Sequence, residues 1–572
     1  MSIWALSWRL IKRQPPIYLA FMIGLLTFLV GRLVPGLYEQ AIFDHLGASH
    51  PVGLNIWTLI ALMVSFELAR LVAYLISGFF EITVQYASNA LIQRNMLAAV
   101  LSRPGAAALS DSPEHTLNRF RDDTQDVALF TTQPVMLLGT FIFSLVAVIY
   151  MVRISLTLTL VVVAPLLLVI SIAIIAQSQV HRYRLASRSE TARLTAFLGS
   201  MFRAAEVIKN AGAERHVLRE VRAINDARRK VSVRDKTFGQ FLDSVFYNSV
   251  DLGIGLILLL ASRAILTREF TVGDFALFDY YVYFVTRLPL VAGDFIVASR
   301  QASVAAGRLA EVARSDDASV LASPQPPPAR DNGNRGPLRE VTLRGLSHTY
   351  PGSSHGIRNV DITIPAGTLT VVAGPVGAGK TTLLRCLLGL LPMQAGAILW
   401  NGQELDRPDI TMTPPRVAYV PQVPHLFSDT LRENITLGAS LDDSLLAQAV
   451  VGAALDRDVR DMTAGLDTRV GPRGVKLSGG QVQRTAIARA LVRAPELLVI
   501  DDLASAVDQA TERALTGLLL SGGTRTCLVA SNRKSVIDRA DQVILLEGGN
   551  VLGCGSAAEL LGRDPRLREF WV

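Results

Sequence analysis

The chain has 572 residues, 50% of them hydrophobic and only 18% charged, with a mean hydropathy of +0.35. It is too apolar for an ordinary soluble protein and too long for one domain. The net charge of +7 and pI ≈ 9.4 would suit nucleic acid, but much of the basic charge flanks apolar runs; membrane topology is the plainer cause, and no nucleic-acid partner is expected.

The opening MSIWALSWRLIKRQPP sets Trp4 and Trp8 beside Arg9, Lys12 and Arg13. It predicts a short helix lying in the membrane interface. A cleaved signal peptide is the rival reading, but GRLVPGLYEQA after the apolar run offers no convincing small-residue cleavage site. Six apolar stretches of bilayer-crossing length lie near 17–35, 55–78, 134–151, 155–177, 247–266 and 275–293. The links after the first, third and fifth are short; those at roughly 79–133 and 178–246 are long. The second long link carries fourteen Lys/Arg from Arg182 to Lys236, whereas the short links carry only Arg153 and Arg268. Both long links, the N-terminus and the C-terminal region are therefore expected in the cytoplasm. Their helical spacing with Gly, Ser and Pro breaks predicts membrane helices extended into the cytoplasm and joined by short turns.

Residues 1–315 thus read as a transmembrane domain with an interfacial N-terminal helix. Residues 316–338, DDASVLASPQPPPARDNGNRGPL, read as a linker. Residues 339–572 alternate short apolar runs with helical segments, the pattern of an α/β domain. The three cysteines, Cys386, Cys527 and Cys554, have no metal or disulfide spacing, so reduced thiols are expected.

In this last region LTVVAGPVGAGKTTLLRCLLGLL is a strand, a glycine loop and a helix in that order. The loop Gly374, Pro375, Val376, Gly377, Ala378, Gly379, Lys380, Thr381, Thr382 contains G-x-x-x-x-G-K-[ST]. Its backbone N–H groups and the helix N-terminus suit phosphate oxygens, Lys380 adds a point charge, and the Thr381 hydroxyl is placed for Mg2+. Downstream, LLVIDD ends a buried parallel strand in two aspartates. Alone, such a pair reads as a solvated turn. Beside a P-loop, Asp501 reads as the carboxylate that holds Mg2+ through water, and Asp502 as the group that orients the attacking water.

VKLSGGQVQRTAIARALV opens a helix with a Ser-Gly-Gly turn, by itself only an N-cap by Ser478. With the P-loop and LLVIDD it resembles the signature of ATP-binding cassette (ABC) transporters. The whole chain resembles their exporter-type half-transporters: a six-helix transmembrane domain fused to a cytoplasmic α/β P-loop ATPase. The resemblance implies ATP and Mg2+ as cofactors. It makes Tyr350 the aromatic that stacks on adenine, and Gln422 a residue that reaches Mg2+ and the water. Ser478, Gly479, Gly480 and Gln481 would bind the ATP held by a second chain's P-loop. Ser505 to Asp508 resembles the D-loop, TRVGPRGVK the loop before the signature, and SDSPEHTLNRFRDD and FRAAEVIKNAGAE the two coupling elbows. The implied partners are a second half-transporter, same or different, membrane lipids and an unidentified cargo. The implied location is a bacterial inner membrane, with the N-terminus and ATPase cytoplasmic.

Three positions depart from that pattern. Asp502 stands where the family usually has glutamate, Asn532 where it usually has histidine, and Pro472 where exporters often have glutamate. Asn532 joins Asp502 and Gln422 as the catalytic set. The two chemical departures predict a slow site on this chain's own P-loop, and so favour a heterodimer of unequal cassettes. An importer on the same fold, or a weakly hydrolysing regulatory half, are the rival functions. Within the spans, Arg32, Glu67, Arg70, Asp279 and Arg287 are candidates for function. Glu67 and Arg70 are i,i+3 and can satisfy each other. The aromatics Phe278, Tyr280, Tyr281, Tyr283 and Phe284 either line a cargo cavity or simply pack.

Overall fold

The computed structural model describes residues 2–46, 55–103, 105, 113–266, 270–324, 335–471, 475–502, 517 and 525–563. Within its helices, the side chains of 113–115, 161–178, 181 and most of 243–266 lie outside that description. The chain forms two compact units: Met1–Met96 with Leu117–Pro324, and Leu97–Thr116 with Gln325–Val572.

The first unit is helical. Helix α1 (Ile3–Ile11) buries Ile3, Leu6 and Leu10 and leaves Trp4 and Trp8 exposed, the amphipathic split expected of an interfacial helix. Then come α2 (Pro15–Val30), α3 (Leu33–Leu46) and α4 (Ile56–Leu101). A short helix α5 (Pro113–Asn118), a π turn (Arg119–Asp123) and α6 (Thr124–Phe130) lead into α7 (Gln133–Ile154). Helices α8 (Leu156–Arg203), α9 (Ala205–Asn210), α10 (Glu214–Leu266), α11 (Val272–Val285), α12 (Arg287–Ala313) and α13 (Ala318–Ala322) complete it.

Four stretches among the described residues are long and apolar enough to cross a membrane: Pro15–Leu46, Ile56–Leu101, Thr116–Ile154 and Val272–Ala313. The stretches read as spans at 155–177 and 247–266 fall on α8 and α10, where most side chains lie outside the described residues. Helices α4, α8 and α10 run 46, 48 and 53 residues. That is about 70–80 Å at the α-helical rise, far beyond a hydrocarbon core of about 30 Å. Short caps join them. Ser155 caps α8 by accepting the Leu158 N–H, and Thr271 with Asp274 forms a capping box on α11. The elbow at 202–214 is the short, solvent-exposed α9 with a left-handed turn at Gly212.

Two spans differ from their sequence outline. The first continues to Leu46 but breaks at Gly31–Arg32; the sixth breaks at Thr286 between α11 and α12. Pro35 and Pro289 explain both breaks, because each lacks the N–H that would bond the carbonyl four residues back. Within the stretch read as linker, α13 is a real helix. Asp317 caps it through the Ser319 N–H, and Ala318, Leu321 and Ala322 are buried.

In the second unit, β1 (Glu340–Thr349), β2 (Gly356–Pro365), β4 (Ala395–Trp400) and β5 (Gln403–Glu404) form an antiparallel sheet in the order β2-β1-β4-β5. The main sheet runs β10-β9-β3-β8-β7-β6, with β3 (Leu369–Ala373), β6 (Val417–Val420), β7 (Leu497–Asp501), β8 (Thr526–Ala530), β9 (Gln542–Glu547) and β10 (Asn550–Gly555). Strands β9, β3, β8, β7 and β6 are mutually parallel, and only the β9–β10 edge is antiparallel. Every residue of β3, β7 and β8 is buried, as parallel strands covered on both faces require. Helix α14 (Lys380–Leu387) follows β3. A helical group, α15 (Pro408–Thr411), α16 (Leu431–Thr436), α17 (Asp443–Gly452), α18 (Asp456–Asp461) and α19 (Gly479–Leu491), lies between β5 and β7 in the chain.

Candidate functional site

The strand order decides which side chains meet. Strand β8 lies between β3 and β7, and β6 flanks β7, so the chain leaves all four carboxyl ends side by side. Open α/β sheets hold their ligands at such an edge. Here it forms a cleft of ≈ 630 Å³ lined by Tyr350, Val376–Thr382, Gln422, Asp501, Asp502 and Asn532. His355, Ser531 and Arg533 also line it.

The loop after β3 is held open by backbone conformation. Gly374 has φ 152, and a Cβ there would collide with the Leu546 carbonyl oxygen. Gly379 has φ 102 and starts α14, a left-handed turn that favours glycine. Lys380 Nζ donates to the loop's own carbonyls, Gly374 O at 2.5 Å and Pro375 O at 3.1 Å. Burial lowers the Lys380 ammonium from its ordinary value, opposed by the charges of Asp502 and Asp501. Thr381 Oγ1 donates to Asp501 Oδ1 at 3.0 Å, and Tyr419 OH to Asp501 Oδ2 at 3.3 Å. Asp501 is only 2% exposed. Burial raises its carboxyl even though both hydroxyls act to lower it.

A hydroxyl and a carboxylate oxygen already in contact, with Gln422 on the same wall, form the hard-oxygen set that suits Mg2+. Among the described residues no cluster of three His, Cys, Asp or Glu exists to hold a metal, so any Mg2+ here would complete its shell with phosphate and water. Tyr350 sits on the cleft wall, its OH 3.3 Å from Thr382 Oγ1 and its ring edge-on to His348.

The two chemical departures are both fixed by the fold. Asp502 has φ 63, a left-handed conformation that Asp tolerates better than most residues. Its N–H donates to Ala530 O at 3.2 Å, and its carbonyl accepts Gln483 Nε2 at 2.9 Å. Asn532 Oδ1 accepts the Gly374 N–H at 3.0 Å, so this side chain braces the glycine loop. Ser478 and Gln481 form a capping box at the start of α19, and Gln481 Nε2 also donates to Asp458. Ser478 and Gly479 are exposed, and none of Ser478, Gly479, Gly480 and Gln481 lines the cleft. Pro472 and the stretch Ser505 to Asp508 lie outside the described residues.

Sequence reading missed His355, Ser531, Arg533, Tyr419 and Gln483. Tyr419 and Gln483 flank recognised motifs, in AYVPQ and GGQVQR, and that adjacency was the available signal. In the helical unit, Phe278 and Tyr281 are buried packing residues, with Tyr281 OH donating to Leu33 O at 2.8 Å, while Tyr283 is exposed. Arg70 makes two hydrogen bonds to Glu67 Oε2, at 2.6 and 3.0 Å, so these two do satisfy each other.

Residues 357–505 match the family described as ABC transporter, and residues 17–288 match the ABC transporter transmembrane region. The chain is 30% identical over 375 residues to a probable multidrug resistance ABC transporter ATP-binding/permease protein, YheI, of Bacillus subtilis, covering 64% of this chain and 63% of that protein. It is 28% identical over 392 residues to the mitochondrial iron-sulfur clusters transporter ATM1 of Yarrowia lipolytica, covering 68% of this chain and 54% of that one. In both cases the match spans less than two thirds of the relative's length. The fold is shared with a bacterial Atm1-family ABC exporter solved with ATP bound: TM-score 0.77 over 98% of both chains, at 22% identity.

Proposed function

The chain belongs to the ABC transporter family, and from that premise we propose that it is an integral membrane half-transporter that couples ATP hydrolysis to export. The observation that carries the reading is the contact of Thr381 with Asp501, 120 residues apart in sequence, in a cleft that also gathers Lys380, Gln422, Asp502 and Asn532. A P-loop nucleotide site needs that set together.

In this reading Tyr350 stacks on adenine and the N–H groups of Gly377 and of Gly379–Thr382 wrap the phosphates. Thr381, Asp501 and Gln422 hold Mg2+, which supplies charge neutralisation at the phosphate oxygens. Lys380 exchanges its carbonyl partners for phosphate. Asp502 orients water, and Asn532 braces the loop while its amide nitrogen donates toward the cleft. The Ser478-Gly479-Gly480-Gln481 end of α19, exposed at Ser478 and Gly479, completes the site on a second chain's P-loop, so ATP closes a dimer and hydrolysis reopens it. Domain limits of 1–315, 316–338 and 339–572, a cytoplasmic ATPase and a bacterial inner membrane belong to the same proposal.

Export is preferred to import because the chain shares its fold with an Atm1-family ABC exporter and is similar to a probable multidrug resistance transporter. A second reading, a slow half of a heterodimer, is favoured by Asp502 and Asn532. The test is the purified full chain in proteoliposomes, assayed for MgATP hydrolysis with Lys380→Ala as control. Hydrolysis surviving that change overturns the assignment.

A further inference from the structure

The two helix breaks in the membrane unit lie at one level and each carries an arginine. Helices α3 and α11 pack antiparallel: Tyr281 OH reaches Leu33 O, Gln40 Nε2 reaches Asp274 Oδ1, and the Gly273 N–H reaches Asp44 Oδ1. This places Arg32, at the α2–α3 break, beside the α11–α12 break where Arg287 begins the next helix. The Arg32 guanidinium lies 4.6 Å from the centre of the Phe284 ring and 5.2 Å from that of Phe28. Arg287 lies 5.4 Å from the centre of the Tyr283 ring, and its Nη2 is 3.4 Å from the Tyr283 hydroxyl. Arg32 feels the charges of both Arg70 and Arg287, opposed by that of Glu67.

Arg70 is answered by Glu67. Among the described residues, neither Arg32 nor Arg287 has a carboxylate at ion-pair distance. The acids of the same helices, Glu39 and Asp279, lie seven and eight residues away, about 10–12 Å by helix rise, in the same direction along the pair. Three like charges gathered at membrane depth against the single carboxylate of Glu67, with aromatic faces but no ion pair on Arg32 or Arg287, are costly unless a further anion comes from elsewhere. Phe28, the ring under both Arg32 and Arg70, also walls an open recess of ≈ 400 Å³ with Met63, Val64, Leu68, Leu71 and the paired Glu67 and Arg70. An apolar body has room there.

We propose that the paired helix breaks form a binding subsite for the anionic head, carboxylate or phosphate, of an amphipathic cargo, held by Arg32 and Arg287 between the rings of Phe28, Tyr283 and Phe284. The proposal deepens the transporter reading and rests on it.

The test is equilibrium binding of matched naphthalene probes to the full chain in nanodiscs of zwitterionic lipid, without nucleotide. The probes are 2-naphthoate and 1-naphthyl phosphate against 1-naphthylmethylammonium. The wild type is expected to bind both anions about tenfold or more tightly than the ammonium probe. The R32Q/R287Q double variant is expected to lose that preference, and R32K/R287K to keep most of it. Equal affinity for anion and ammonium in the wild type, or an unchanged anion preference in R32Q/R287Q, overturns the subsite. If R32Q/R287Q does not fold, the wild-type series and R32K/R287K decide. Labelling of the same preparation by a photoreactive ATP analogue reads the cassette alone. Label without anion preference overturns the subsite and leaves the transporter reading standing; absence of label overturns the transporter reading and the subsite's role in it.

Discussion

Replacing Asp502 by glutamate moves the carboxylate forward by one methylene, about 1.3 Å, and the backbone cannot absorb the change. Asp502 is clamped on both sides, its N–H on Ala530 O at 3.2 Å and its carbonyl under Gln483 Nε2 at 2.9 Å. The displacement therefore appears in full at the cleft. A misplacement near 1 Å costs up to about a hundredfold in rate, so if the native carboxylate stops short, Asp502→Glu gains up to that factor. The same change carries a stability cost. At φ 63 glutamate lacks the short side chain that lets aspartate settle in this region, a difference of about 1 kcal/mol and about 2–4 °C in melting temperature.

Asn532→His acts in the opposite sense on the loop. It removes the acceptor held 3.0 Å from the Gly374 nitrogen, a net bond of about 0.5–1.5 kcal/mol, so ATP affinity falls a few fold while a pH step near 6.5 enters the rate profile. The assay is steady-state phosphate release by the purified full chain alone, for wild type, both single changes and the double, with thermal melts alongside. If the wild type already hydrolyses ATP briskly and Asp502→Glu adds nothing, Asp502 is an adequate catalytic residue and the case for unequal cassettes fails.

Lys380→Ala is expected to abolish labelling by a photoreactive ATP analogue, because the phosphates lose their charge partner; normal labelling would remove Lys380 from the site. Tyr350→Ala should weaken ATP binding by about 1–3 kcal/mol, the range of base–aromatic stacking, and an unchanged dissociation constant would remove Tyr350. Gln483→Leu takes away the bond that fixes the Asp502 carbonyl, so turnover should drop about tenfold with ATP affinity held; a fall in affinity alone would show that Gln483 serves only packing. Cys386 and Cys527 are buried, and burial pushes their thiols up to about 12 and about 11. In native protein iodoacetamide at pH 8 should modify Cys554 alone, with the other two reacting only in denaturant, and rapid native labelling of either would contradict the cassette core.

Much of this protein is written locally. The glycine loop, its lysine and the helix that follows are contiguous, so the spacing from Gly374 to Thr382 already fixes a strand, a turn that only glycine enters easily, and a helix N-terminus aimed at phosphate. The apolar runs of the spans and the basic links are equally local. Their ends are less so: a hydropathy window stops at the first charges, whereas backbone hydrogen bonding carries α4, α8 and α10 on beyond their apolar stretches. Pro35 and Pro289 stand in plain view in the chain, yet only the antiparallel packing of α3 on α11 brings their two breaks, and Arg32 and Arg287, to one level. The cleft has the same character. Asp501 meets Thr381, Asn532 braces Gly374, and Gln483 holds Asp502, each across 19 to 158 residues of sequence. No spacing rule reaches that far, because those contacts follow from the order in which β3, β8 and β7 pair, and strand order is settled by burial of whole strand faces rather than by any one residue.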